Sequence, residues 1–163
     1  FIVKKSKPIL KFFIMFAMLT SFFSFLYAEK TSNFGIIAHG GYTYIPSENQ
    51  KTMAVYLSVF NNSDEDIYIE KISSEISKTS MIHSTEYEND IVKMIMLDNI
   101  EIKANTSFFF QPGNTHIMLM NLVKKVKDSD RFKLTLHLKN KDDLETNIIV
   151  VKPNIDNTKK KFK

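Results

Sequence analysis

The stretch Met81–Leu122 holds two of the four histidines and five of the eight methionines of this 163-residue chain. Within it His83, Met94, His116 and Met118 are the side chains whose types could hold an ion together. Imidazole nitrogen and thioether sulfur are neutral donors that suit copper, above all Cu(I), whereas Cu(II) would lean on the histidines alone. The sequence contains no cysteine. That removes thiol nucleophiles, CxxC motifs, thiolate zinc sites and the two-histidine, one-cysteine centre of blue-copper electron carriers.

Donors of this kind must be positioned by the elements that carry them. His116 and Met118 are one residue apart, so on a strand they share a face about 7 Å apart. The Gln111-Pro112-Gly113-Asn114 run before them is a turn, because proline fixes φ ahead of a glycine that tolerates positive φ. His83 and Met94 flank a polar turn, Tyr87 to Asp90, between the strands predicted at 77–86 and 91–97. Further strands are expected at 35–45, 52–60, 66–70, 100–102, 107–110, 131–139 and 147–151, with the Gly40-Gly41 pair marking a bulge in the first. About nine short strands without a convincing amphipathic helix predict one all-β domain, a two-sheet Greek-key β-sandwich.

The first residues have the layout of a secretory signal: lysines at 4, 5, 7 and 11, then an uncharged run from Phe12 to Tyr27. This predicts a leader over 1–28 with cleavage after Ala28, a sandwich domain over 29–152 and a lysine-rich tail over 153–163. An uncleaved anchor is the competing reading, although the run is short for a membrane span. Residues 1–28 carry four of the 22 basic residues and none of the 18 acidic ones, so the remainder is formally neutral. Four more lysines crowd the last five positions. The basic pI is thus a property of the two ends, and a nucleic-acid-binding face is not expected.

The spacing of His83, Met94, His116 and Met118 resembles the H-x10-M-x21-H-x-M pattern of the PCu(A)C-type periplasmic copper chaperones. The surroundings resemble the family too: VKM at Val92–Met94, the IEIKANTSFFFQPGNTHIMLMNL run, and AVYLSVFNN at Ala54–Asn62. The likeness covers roughly Gly35 to Val151. It departs at Ser84, where some members have methionine, and in the residues after Pro153, which lack a His/Met-rich extension. The resemblance implies a cupredoxin-like sandwich that binds Cu(I) through those four residues. It also implies a periplasmic protein, not an enzyme, supplying copper to the CuA-bearing subunit of cytochrome c oxidase with a thiol-containing assembly partner.

Blander readings stand beside this one. A methionine in a strand is usually core filler, and taken singly Met94 and Met118 read that way; their joint spacing with the histidines reverses it. Met96 and Met120 share parity with the two ligand methionines and are either alternative ligands or, as the favoured reading, a hydrophobic wall, while Met81, which shares parity with His83, is expected in the core. His39 and His137 are read as structural, His137 facing solvent because Leu134, Leu136 and Leu138 claim the other side. Glu86, Glu88 and Asp90 form an ordinary polar turn, and no serine sits in a nucleophile-elbow context. The alternative to a chaperone is a metal-free structural or adhesive sandwich of the cell envelope; a copper redox enzyme is a third reading.

Overall fold

The computed structural model describes residues 35–89 and 91–153. The expected leader and all but the first residue of the expected tail lie outside the described residues. Every regular element described is a strand: β1 (Ile36–Tyr44), β2 (Thr52–Asn61), β3 (Ile67–Ser74), β4 (Ser77–Glu88), β5 (Ile91–Leu97), β6 (Ile100–Ile102), β7 (Thr106–Phe110), β8 (His116–Leu122), β9 (Arg131–Leu138) and β10 (Leu144–Val151). Among the described residues no helix is long and apolar enough to cross a membrane.

The strands hydrogen-bond in the order β5-β4-β8-β2-β1-β10-β9-β3-β6, with β7 also on β2. All pairings are antiparallel except β1 with β10. Period-two alternation decides which side of each strand is buried. In β2, Met53, Val55, Leu57 and Val59 point inward and Thr52, Ala54, Tyr56 and Ser58 outward. Val55, Ile82, Ile117 and Leu119 from one half of the strand order join Ile67, Ile69, Leu134, Leu136 and Ile148 from the other in a single buried cluster. The order therefore folds over into two layers, and each fully buried aliphatic side chain between them contributes about 1.5–3 kcal/mol. This is the expected all-β, cupredoxin-like sandwich.

The bulge expected at Gly40-Gly41 is present: the β1–β2 register shifts between His39 and Tyr42, and Gly40 has φ 69°. A Cβ on Gly41 would run into the Ile148 side chain and lie 3.0 Å from the Asn147 carbonyl oxygen, so a side chain there would require the Ile148 side chain to move and β10 to give slightly. Two strands run further than expected. The one expected at 52–60 takes in Asn61, which ends β2 and is fully buried. Its Nδ2 donates to the carbonyls of Glu65, Ile102 and Lys103 at 2.8, 3.1 and 3.1 Å, and its Oδ1 accepts from Ser63 Oγ at 2.6 Å. β3 does not stop at Glu70 but continues to Ser74 through a second register shift between Ile69 and Lys71.

Candidate metal centre

The turn before β8 closes with the Gln111 amide donating to the Thr115 carbonyl at 2.8 Å, and Gly113 takes φ 76°. From it β8 enters the sheet between β2 and β4. The register then sets His116 directly opposite His83 on β4, and His83 directly opposite Met96 on β5. Residues directly paired across strands share a face, so one row reads Met96, His83, His116. The next row away from the hairpin tip pairs Met81 with Met118, and the one after it Thr79 with Met120. Toward the tip, Met94 pairs with Thr85, diagonal to His83.

All of these residues lie on the face opposite Ile82, Ile117 and Leu119, which are buried in the core. The structure thus brings His83 and His116 together, sets Met118 beside His116, and places Met94 on the same face across β4. The two rings meet edge to face, with centroids 6.0 Å apart at 90°. His116 is only 7% exposed, whereas Met94 is 64% exposed. Met81, expected in the core, stands on this outer face, half-buried opposite Met118. Parity with His83 was the right relation, but the histidine's own side is the outside of the sandwich.

The methionines are segregated. Of the six among the described residues only Met53 joins the core, which is otherwise built from Ile, Leu, Val and Phe. The other five share the outer face of β5-β4-β8 with the two histidines. Methionine is therefore not the filler of this core. Met96, at 59% exposed, stands across from His83, while Met120 is half-buried.

The two imidazoles are in different states of satisfaction. His116 Nδ1 lies 2.9 Å from the Asn114 carbonyl oxygen. A carbonyl only accepts, so Nδ1 carries the proton and Nε2 keeps its lone pair. This backbone contact holds ring and tautomer in the manner of an outer-shell partner to a metal-binding histidine. His83 Nδ1 is buried and has no hydrogen-bond partner among the described residues. Burial, and then the neighbouring His116 ring, push the His83 pKa below the ordinary imidazole value, which keeps it neutral near pH 7. Among the described residues no three His, Cys, Asp or Glu side chains converge. An ion held between these rings would complete its shell with thioether sulfur.

Neither the Asn114 carbonyl nor the orphaned nitrogen is visible in residue types, since both arise from backbone path and burial. A second arrangement also escaped the sequence. His137, facing outward on β9 as expected, accepts or donates at Ser73 Oγ through Nε2 (2.8 Å) and meets Asp143 Oδ2 through Nδ1 (3.0 Å). The order is that of a hydrolytic triad, but Ser73 sits within extended strand β3, paired with Thr135, and not on the sharp turn that presents a nucleophile beside oxyanion-binding amides. Its evident role is to fasten β3 to β9 and the loop after it.

Fold and site together define an all-β, cupredoxin-like sandwich that displays imidazole and thioether groups on one outer sheet face. The chain belongs to the LpqE-like family, whose model, described as "Putative lipoprotein LpqE-like", matches residues 36–150. Protein RP573 of Rickettsia prowazekii (strain Madrid E) is 30% identical over 105 residues, which are 64% of this chain and 56% of that protein. The chain thus spans little more than half the length of this curated relative. Among solved structures, the copper-bound PCuAC domain from PmoF2 superposes with a TM-score of 0.62 at 17% identity, covering 73% of this chain and 94% of that one. The solution structure of CuI-DR1885 from Deinococcus radiodurans gives 0.59 at 22% identity, covering 74% and 80%. The apo PCuAC domain from PmoF1 gives 0.60 at 14% identity, covering 73% and 95%. At these identities the likeness establishes the fold.

Proposed function

We propose that the protein is a metallochaperone that carries Cu(I) on His83, Met94, His116 and Met118 and surrenders it to an acceptor protein. The observation that carries this reading is the buried Nδ1 of His83, without a hydrogen-bond partner among the described residues, on a ring whose centroid lies 6.0 Å from that of His116. Two of the similar structures are titled as copper-bound or Cu(I) forms, which supports copper as the cargo. By the family resemblance, the acceptor is the CuA site of cytochrome c oxidase, reached in the periplasm with a thiol-containing partner. On this reading residues 1–28 are an export signal and 29–152 the working domain.

The residues divide the work by exposure. His116, nearly buried and held by the Asn114 carbonyl, and His83, kept neutral by burial, form the fixed nitrogen side of the site. Met118, half-buried on β8, and Met94, largely exposed on β5, provide sulfur. A neutral thioether leaves or joins Cu(I) without taking up a proton, so donors can be exchanged one at a time as the ion is handed over. The test is a Cu(I) titration of the protein against a competing chelator. One tightly held equivalent is expected, weakened by about tenfold or more in a His116→Ala/Met118→Ala variant. No bound equivalent, or no change in the variant, refutes the proposal.

A further inference from the structure

The methionines that the four-residue site leaves over do not scatter. Met81 stands directly opposite Met118, and Met120 follows Met118 two residues on along β8. Direct cross-strand neighbours have Cβ atoms about 4.5–5.5 Å apart, and alternate residues on a strand about 7 Å, so flexible thioether arms from these three positions reach one point. All three are half-buried, held against the sheet and still reachable. The face behind them is already filled by Ile82, Ile117 and Leu119, so the core does not require them. A protein that builds its interior almost without methionine has placed three adjacent ones on the outside.

We infer that Met81, Met118 and Met120 form a second Cu(I) station, made only of thioethers and sharing Met118 with the histidine site; the inference rests on the copper reading above. Three soft neutral donors favour Cu(I) and hold Cu(II) poorly. Because Met118 belongs to both sets, an ion passes between them by exchanging the imidazoles for the sulfurs of Met81 and Met120 one at a time. Copper stays Cu(I), all donors are neutral, and no proton or electron moves. The station leads the ion along β8, away from the β4–β5 tip, and offers an acceptor copper that no longer has its nitrogen ligands.

The test loads the protein anaerobically with Cu(I) from a chelator and reads copper X-ray absorption. A His83→Ala/His116→Ala variant is expected to keep one Cu(I) with sulfur scatterers only, bound about tenfold or more weaker than in the parent protein. Adding Met81→Leu and Met120→Leu in that background is expected to abolish it. In the parent protein carrying methyl-¹³C methionine, Cu(I) is expected to shift or broaden the Met81 and Met120 methyl signals together with that of Met118, while core Met53 stands still. The methyl spectrum decides alone if the histidine variant does not fold. Absence of copper from a folded histidine variant, indifference to the two leucine substitutions, or unmoved Met81 and Met120 signals overturns the inference. A parent protein that binds Cu(I) with two nitrogen scatterers while those signals stay fixed leaves the chaperone reading intact, whereas one that binds no copper refutes that reading itself.

Discussion

A buried nitrogen without a partner costs a folded protein about 1–3 kcal/mol, so His83 is a residue that the apo sandwich would be more stable without. Replacing it by leucine keeps an apolar body on β4 and removes the orphan. The variant is expected to match or exceed the parent's apo stability by about 1 kcal/mol in urea unfolding while losing affinity for Cu(I); a clear loss of apo stability would mean that His83 supports the fold. At this scale spacing carries information about which side chains can share a face: His83, Met94, His116 and Met118 lie on one face of the β4–β5 hairpin and β8. It carries none about face identity, as with Met81, because parity says which residues share a side and not which side is the interior. The register adds a relation that no interval contains: Met96, not Met94, is directly opposite His83.

Strands are legible when both of their faces have a constant environment, and β2, β5, β6 and β8 fell within a residue of where alternation and turns put them. β3 shows the limit. Its buried positions are Ile67 and Ile69 before the register shift and Ile72 after it, so the hydrophobic phase moves from odd to even and the second half no longer looks like the same strand. β5 is unusual in another way: none of its residues is buried, although Ile91, Val92, Met94 and Met96 are apolar and exposed. It is held by its ladder to β4 and by Leu97, which packs partly buried against the core, while Ile91, Val92, Met94 and Met96 stand in solvent. The opposite case is Asn61, a polar residue at the end of an otherwise apolar strand face that satisfies three carbonyls where β2, β3 and β6 meet. Asn61→Ala removes one donor from each of these carbonyls, although Lys103 O keeps the Thr106 amide and hydroxyl and Glu65 O keeps the Ser63 hydroxyl, and is expected to destabilise the protein by about 1–2 kcal/mol, measured by chemical denaturation. A change below about half a kcal/mol would mean that the corner is held by packing alone.

For the molecule as a whole, strand order is what the sequence could not supply, because the parallel β1–β10 contact that carries one layer into the other joins segments a hundred residues apart through backbone ladders. What the chain does declare at this scale is its charge, and the structure shows where part of it is used. Lys103 Nζ bridges Asp66 Oδ2 and Glu101 Oε1, both at 2.8 Å, and the Ala104 amide donates to Asp66 Oδ1 at 2.8 Å. The nearly buried Lys141 donates to Glu65 at 2.8 Å. The hydrogen bond from Lys141 holds the Glu65 carboxyl below its ordinary value, and those from Lys103 do the same first for Asp66 and for Glu101. A carboxyl whose pKa is lowered by folding releases its proton more readily in the folded state. Its contribution is therefore complete above the ordinary carboxyl values of 3.8 and 4.5 and disappears as pH falls through the depressed ones. All three carboxyls are exposed, so salt screens the effect. The apo protein is accordingly expected to lose some stability as pH falls through the imidazole range, where the unfolded chain protonates His83 more readily than the folded one does, and to lose more below the ordinary carboxyl range, this second loss being gentler in Lys103→Met and at high salt. Denaturant midpoints measured across that range check it: a parent curve that stays flat in acid, or a Lys103→Met curve with an equal slope, would show that these ion pairs do not contribute to holding the β3–β6 corner.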